Sequence, residues 1–261
     1  MSKYGQIYIG TILLEKNRHA SGKQPSFRVS EWLARFAEAG FDGMELWEYH
    51  ATRCAPEELA ALETSSFPVT VFNSYAAVDD TGAKDRDAAA RMAKRLRAQG
   101  LKYNVGKGPA ARDVYLARTR EWRAMFPASF RFLCECHPGT IIEEPAEARR
   151  FFDEAALPSF EIIVHPFNRL ESLKGWFDAF GSAVTHAHLQ MRGDDRLCRR
   201  FDSNPKLAKE AIHIMREEGF TGSFELEFTQ GAQPGPAENE QIGDLWQNAL
   251  RDLEFLKGLL A

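Results

Sequence analysis

The sequence has few cysteines, no long hydrophobic run and no excess of positive charge. Four cysteines in 261 residues are too few for a disulfide framework, so we expect reduced thiols. No stretch approaches the roughly 18 consecutive apolar residues of a transmembrane helix. The first residues also lack the basic segment and apolar run of a signal peptide. These absences predict a cytoplasmic protein that does not insert into a membrane.

The charge balance and the glycine pattern each argue against a class of ligand. The chain has 33 basic and 37 acidic residues, a formal net charge of −4. It therefore offers no broad cationic surface to a nucleic-acid backbone or an anionic membrane. No Gly-x-Gly-x-x-Gly follows the first predicted strand, and no Gly-x-x-x-x-Gly-Lys-Ser/Thr phosphate loop is present. The two commonest nucleotide-binding patterns of α/β proteins are thus missing.

What the chain does contain is a recurring local pattern, in which an amphipathic stretch ends at a glycine and a short apolar run follows. Ser30 is expected to cap a helix that ends at Gly40. The same pattern predicts a helix over 88–99, stopped by Gly100, and another over 205–219. Helices that alternate with short strands indicate βαβ units and therefore a parallel sheet.

The number of strands favours a closed barrel over an open, doubly wound sheet. Eight candidates in 261 residues give about 33 residues for each unit, the size of one βα repeat. We therefore predict one (β/α)8 TIM barrel, a single domain over residues 1–261, whose site opens at the strand C-termini. The glycine- and proline-rich segment 231–237 is interpreted as its last βα loop. The candidate strands are 6–11, 43–46, 69–73, 101–105, 130–135, 160–165, 184–189 and 223–228.

Ionisable residues concentrate at the ends of the last four predicted strands, the edge that carries the active site in such barrels. A mixed set of carboxylates and imidazoles suits a divalent ion of the manganese, cobalt or zinc type better than calcium. Two simpler interpretations stay open: Glu225 as a rim residue, and His186 as a hydrogen-bonding residue of the barrel wall. The residues concerned are Glu135 and His137, His165, His186 and His188, and Glu225 and Glu227.

Four motifs, in order along the chain, resemble those of the xylose isomerase-like barrels. This family of sugar-phosphate isomerases and epimerases includes tagatose epimerase, hydroxypyruvate isomerase and relatives of inosose dehydratase. Glu-Cys-His-Pro-Gly-Thr, from Glu135, is similar to the family's Glu-Asn-His-x-Gly-Thr on the fifth strand. Gly-Phe-Asp-Gly-Met-Glu-Leu, with Glu45, is similar to its second-strand Gly-x-x-Gly-x-Glu-Leu. His186-Ala-His188-Leu is similar to the family's seventh-strand His-x-His-Leu. Gly222, with Glu227 five residues later, is similar to the motif of its last strand.

The resemblance implies a divalent metal (Mn, Co, Zn or Mg) held by Glu135, His188 and Glu227. At the sixth strand the chain departs from the family, since His165-Pro-Phe-Asn168 replaces Asp-x-x-His. We expect His165 to be the fourth ligand, because histidine also binds such metals. The family's Lys-Asp after the seventh-strand histidine is missing as well, which leaves Arg192 as a substitute for its substrate contacts.

The resemblance also implies isomerisation or epimerisation of a small polyhydroxy carbonyl compound through an enediolate, with Glu135 and Glu227 transferring the proton. Substrate contacts are expected from Glu45, Lys107, His137, His186 and Arg192. An inosose-type dehydratase and a non-catalytic carbohydrate-binding barrel remain alternatives, and the oligomeric state stays open, a homo-oligomer included. An abasic-site endonuclease is disfavoured, because Asn73 and Asn104 stand where it needs extra histidines. We expect no nucleic-acid or membrane partner.

Overall fold

Eight parallel strands close into a barrel in which each strand pairs with the strands before and after it along the chain, and the last strand pairs with the first. The structure is a computed structural model that describes residues 5–232 and 240–261. The predicted (β/α)8 barrel is confirmed, and segment 231–237 lies outside the described residues after Ala232. The strands are β1 (Ile7–Gly10), β2 (Gly43–Trp47), β3 (Val69–Asn73), β4 (Gly100–Tyr103), β5 (Arg131–Glu135), β6 (Glu161–Val164), β7 (Val184–Leu189) and β8 (Ser223–Leu226).

Helices alternate with the strands and cover the outside of the barrel. Among the described residues, none of these helices has both the length and the apolar character needed to cross a membrane. A short antiparallel hairpin of Met191–Arg192 and Cys198–Arg199 follows β7. The helices are α1 (Leu33–Ala39), α2 (Tyr49–Thr52), α3 (Pro56–Thr64), α4 (Ala83–Arg95), α5 (Arg112–Ala124), α6 (Pro145–Ala155), α7 (Leu170–Phe180), α8 (Pro205–Glu217) and α9 (Ile242–Leu260).

Two predicted helix ends differ from the structure for local reasons. Ser30 does not cap α1: its N–H and its hydroxyl both donate to the Glu58 carboxylate, and α1 begins at Leu33. Helix α4 ends before 99, because Arg97 adopts a left-handed conformation with φ 54° and Gly100 already belongs to β4. The stop at Gly40 is confirmed, since its φ of 86° is the left-handed conformation that glycine adopts without strain.

Side chains along each strand alternate between the outside and the inside of the barrel, and the two sides are packed differently. Side chains that point outward pack against the helices in one large apolar cluster, which includes Trp122, Phe132 and Phe151. Inside the barrel, the apolar cluster comprises only Val71 and two further residues, Leu133 and Ile163, among the described residues. The rest of the barrel interior is therefore available to polar side chains.

Asp252 fastens the last helix to the loops at the top of the barrel. It lies on α9 and is almost completely buried. One carboxylate oxygen accepts the backbone N–H of Phe201 at 2.7 Å, and the other accepts the hydroxyl of Thr229 at 2.5 Å. Burial raises the pKa of Asp252 to about 7.

This raised pKa gives the first prediction, on Asp252→Asn. Between about pH 4 and pH 7 the folded chain holds a proton on Asp252 that the unfolded chain releases, so the free energy of unfolding falls as the pH rises across this range. Asn can still accept the Phe201 N–H through its oxygen and can donate its amide N–H to the Thr229 hydroxyl oxygen, and it cannot ionise. We therefore expect urea-unfolding titrations to show a flatter pH dependence for Asp252→Asn than for the wild type. Asp244→Asn, an exposed change in the first turn of α9, serves as control, and equal slopes for all three proteins would contradict the prediction.

Candidate active site and metal centre

Much of the barrel interior is built from ionisable side chains. TIM barrels usually fill this space with branched apolar residues, because a buried charge is costly unless it is compensated. Here β2, β4, β5, β7 and β8 each place an ionisable group inside. They are Glu45, Lys102, Glu135, His186, His188 and Glu225, all 3% exposed or less. Such a concentration points to a functional site rather than to a structural core.

Two of these interior groups, Glu135 and His188, meet His165 and Glu227 near the strand C-termini in what we call the upper cluster. His165 Nε2 lies 3.0 Å from Glu135 Oε1. His188 Nδ1 lies 3.8 Å from Glu135 Oε1 and 3.7 Å from Glu227 Oε1. The structure thus brings together the four residues expected to hold the metal, contributed by β5, by the residue after β6, by β7 and by the residue after β8.

The upper cluster fits a divalent cation. Ligand atoms of Glu135, His165 and His188 lie within 4.8 Å of one another, and Glu227 adjoins them. His188 Nδ1 is buried and has no hydrogen-bond partner within residues 5–232 and 240–261. Its other nitrogen, Nε2, lies 3.2 Å from Glu45 Oε2. A carboxylate on the far side of the ring is the usual partner of a histidine that binds a metal through its near nitrogen.

Glu135 is held by a buried lysine that the sequence analysis did not single out. Lys102 Nζ lies 2.5 Å from Glu135 Oε2, and the Asn104 amide donates to the same oxygen at 2.9 Å. Burial works against ionisation, but Lys102 and His165 outweigh it and hold the pKa of Glu135 well below its ordinary value. A lysine in an otherwise apolar strand was the available signal, because lysine is almost never buried without a partner.

Glu227 occupies a different electrostatic environment. Burial raises the pKa of Glu227 to about 7, with Glu135 and Glu225 adding to the rise and the two histidines opposing it. The side-chain amide of Gln190 donates to Glu227 Oε2 at 2.6 Å, and Arg192 in turn donates to Gln190 Oε1 at 2.8 Å. Arg192 therefore acts on the site through Gln190, where the related family carries lysine and aspartate.

A second group, which we call the lower cluster, lies one layer deeper and comprises Glu45, His186, His188 and Glu225. All four side chains are buried. Burial alone would raise the pKa of Glu45, but His188 and His186 lower it below its ordinary value. The described lining of the cavity above does not include Glu45 or His186. Substrate contact, the role expected for these two residues, therefore does not follow from their positions.

Above the upper cluster opens a cavity of about 610 Å³, large enough for a small ligand. Glu135, Glu227, Lys102 and Gln190 form part of its floor, while the predicted contact residues Lys107, His137 and Arg192 lie exposed on its wall and rim.

The wall of this cavity also carries an aromatic residue, Tyr75, that the sequence analysis missed. Tyr75, 46% exposed, stacks on Tyr49 with ring centroids 6.4 Å apart. Lys102 Nζ lies 4.8 Å from the centre of the Tyr75 ring. An exposed aromatic ring beside buried polar groups is a common feature of ligand sites.

Another cavity, of about 540 Å³, lies at the opposite end of the barrel. Arg131, Glu161 and Thr185 line it, and they bond to one another. Because active sites of this fold lie at the strand C-termini, the cavity above the upper cluster is the candidate active site.

Comparison of the sequence alone with known proteins yields no match to a protein-family model and no significant match to a curated protein. Comparison of the structure gives many. The D-psicose 3-epimerase from Clostridium cellulolyticum H10, solved with D-tagatose, superposes with a TM-score of 0.71 at 12% identity, over 98% of this chain and 99% of that one. A probable 3-DHS dehydratase from Bacillus anthracis superposes with a TM-score of 0.70 at 17% identity, over 98% and 97%.

A third similar structure carries a metal. It is a xylose isomerase-like TIM barrel protein from Mycobacterium smegmatis in complex with magnesium, with a TM-score of 0.65 at 14% identity over the full length of both chains. At such low identities these likenesses concern the fold, and they confirm the fold that the four sequence motifs imply. The chain therefore has the TIM-barrel fold of these xylose isomerase-like and epimerase structures.

Proposed function

We propose that this protein is a metal-dependent isomerase or epimerase of small polyhydroxy carbonyl compounds, such as a sugar or sugar phosphate. The observation that carries the proposal is the pair of carboxylates on either side of His165: Glu135 lies 3.0 Å from Nε2 and Glu227 lies 3.7 Å from Nδ1. Both carboxylates form part of the cavity floor. A substrate in the cavity can therefore meet two groups able to take up and return a proton.

The environments of the two carboxylates suit different parts of this reaction. Glu227, whose pKa burial raises to about 7 before a cation binds, lies on the cavity floor, where it can accept a proton from the carbon next to the carbonyl and release it again. Glu135 stays ionised beside the Lys102 ammonium. In isomerisation, Glu227 returns the proton that it has taken to the adjacent carbon. In epimerisation, Glu135 relays a proton from Lys102 to the opposite face, and the proton on Glu227 is released to solvent. A divalent cation in the upper cluster would supply positive charge where the enediolate develops negative charge.

The cavity wall suits a polyhydroxy substrate. Tyr75 offers an apolar ring face to the C–H groups of a sugar. Lys107 and Arg192 stand exposed at the rim, where they can donate hydrogen bonds to hydroxyl or phosphate oxygens.

A dehydratase is the second candidate. It begins with removal of the same proton, but the enediolate then expels a hydroxyl group as water instead of being reprotonated. The likeness to a probable 3-DHS dehydratase supports it. The product distinguishes the two candidates, since dehydration lowers the substrate mass by one water and isomerisation leaves it unchanged.

The second prediction concerns the metal. We expect the wild type to bind manganese in equilibrium dialysis, and His165→Asn to weaken this binding by at least about tenfold, because the upper cluster loses one ligand. His213→Asn, an exposed change on α8, is the matched control. Wild-type affinity in His165→Asn, or no manganese binding by the wild type, would contradict the proposed metal site.

The third prediction concerns proton transfer. With manganese added, the enzyme incubated in heavy water with a panel of ketoses and inososes should introduce deuterium next to the carbonyl of its substrate. Glu227→Gln should slow this uptake by about 100-fold or more, because an amide cannot accept the proton. Mass spectrometry or proton NMR measures the uptake and also reveals any loss of water.

Glu161→Gln is the control for this experiment, since Glu161 lies in the same barrel at the opposite end. It should exchange at nearly the wild-type rate. Absence of uptake with every compound, or undiminished uptake in Glu135→Gln and Glu227→Gln, would exclude the mechanism.

The fourth prediction concerns Tyr75. Once a substrate is identified, Tyr75→Ala should raise KM by about three- to tenfold with a smaller change in kcat, because it removes a stacking surface worth about 0.5–1.5 kcal/mol. Tyr75→Phe retains the ring and should stay close to the wild type. Steady-state kinetics on the three proteins checks this, and an unchanged KM in Tyr75→Ala would rule out the contact.

A further inference from the structure

The lower cluster has the dimensions of a tetrahedral metal site. His188 Nε2 lies 2.8 Å from Glu225 Oε2 and 3.2 Å from Glu45 Oε2. His186 Nε2 lies 3.5 Å from Glu45 Oε2 and 3.8 Å from Glu225 Oε2. Four ligands at about 2.0–2.1 Å from a tetrahedral zinc ion stand about 3.3–3.4 Å apart, and the four measured distances bracket that value.

The polar atoms of the lower cluster are close together but poorly satisfied by one another. Within the described part of the chain, both carboxylate oxygens of Glu225, Glu45 Oε1 and His186 Nε2 are buried without a hydrogen-bond partner. The 2.8 Å contact between His188 and Glu225 is thus an approach without hydrogen-bond geometry. Unsatisfied polar groups in a fully buried site cost stability. A cation at the centre, bound by all four side chains, would remove that cost.

The surroundings of the cluster hold its ligand atoms in place. His186 Nδ1 lies 2.8 Å from the Ser223 hydroxyl, so its Nε2 is the nitrogen left to face Glu45 and Glu225. A hydrogen bond on the far nitrogen is typical of a histidine that binds a metal. Gly10 provides the space for Glu225, because a Cβ at position 10 would stand 2.0 Å from Glu225 Oε1.

We infer that the lower cluster is a second metal site, distinct from the upper cluster, that takes a zinc-type divalent cation. Two glutamate side chains and two imidazoles match the ligand types that zinc prefers. The two negative charges also balance the charge of the ion, which removes the penalty of burying an uncompensated carboxylate pair.

The position of the site in the fold suggests a structural role for the ion. Strand β1 lies between β2 and β8, where the first and last parts of the barrel meet. A metal bound by Glu45 of β2, the histidines of β7 and Glu225 of β8 connects the strands on both sides of β1. His188 presents Nδ1 to the upper cluster and Nε2 to the lower one. For both sites to fill at once, the ring would have to release both N–H protons to solvent.

Anomalous diffraction from crystals of the whole chain grown with zinc tests the inference without any variant. Data collected on both sides of the zinc edge should show a peak enclosed by Glu45, His186, His188 and Glu225. A peak confined to the upper cluster, or no peak at all, overturns the inference. A lower peak without an upper one supports it and counts against the proposed function, so the two failures are distinguishable.

Variants assign the zinc binding to each cluster. In elemental analysis, Glu225→Gln should lose the zinc ion bound by the lower cluster. Glu227→Gln should bind zinc more weakly in the upper cluster and retain the zinc ion of the lower cluster. Gly10→Ala should also lose the zinc ion of the lower cluster, because its Cβ displaces the Glu225 carboxylate. Gly243→Ala is the matched control, since a Cβ there meets nothing within 4 Å. Unchanged zinc content in both Glu225→Gln and Gly10→Ala overturns the inference.

Thermal unfolding gives an independent readout. In the Glu227→Gln background, zinc at about a hundred times its Kd should raise Tm by about 5–10 °C, and adding Glu225→Gln should abolish the shift. An equal zinc-dependent shift in the presence and absence of Glu225 overturns the inference.

Discussion

The compensation of charge inside the barrel is the constraint on which this structure depends. Ionisable groups from β2, β4, β5, β7 and β8 lie where similar barrels pack apolar residues. Each buried carboxylate needs an opposite charge or a donor close by, since the interior offers little solvent to replace them. Lys102 and Asn104 fill this role for Glu135. The two histidines of β7 fill it for Glu45, whereas neither carboxylate oxygen of Glu225 has a hydrogen-bond partner among the described residues.

Environment, rather than residue type, separates the roles of the carboxylates. Glu135, between a lysine and a histidine, is held ionised. Burial raises the pKa of Glu227 to about 7, and the neighbouring carboxylates of Glu135 and Glu225 add to the rise. Two chemically identical groups on one cavity floor thus have different proton affinities, the arrangement that allows one site to take up and return a proton at neutral pH.

Most of the fold follows from local patterns in the sequence. The eight strands lie within about two residues of the predicted ones, because short apolar runs that alternate with amphipathic stretches leave few other parallel arrangements. The ends of α1 and α4 were harder to place. Ser30 bonds to Glu58 across the fold, and Arg97 takes the left-handed turn expected of Gly100. Neither the Ser30–Glu58 contact nor the left-handed conformation of Arg97 is indicated by the residues next to it in the sequence.

For the site, the sequence by itself determined which residues face the barrel interior, since side chains of a strand alternate faces with a period of two. It therefore indicated the carboxylates and histidines near the ends of β5, β6, β7 and β8, and so the upper cluster. It did not indicate Lys102, which reaches Glu135 from the neighbouring strand β4. Nor did it indicate that Gln190, which directly follows β7, donates to Glu227.

Only the tertiary structure decided the layer in which each group lies. Glu225 and Glu227 are two residues apart on one strand and share the same inward face. Yet Glu227 borders the open cavity, while Glu225 lies opposite Tyr8 and His188 in the closed interior. The closure of the barrel places β2 close to β7 and β8 and brings Glu45 to the same point. The contact between Glu45 and His188, which are 143 positions apart, arises from the register of the strands around the whole barrel. No local pattern in the sequence encodes that register.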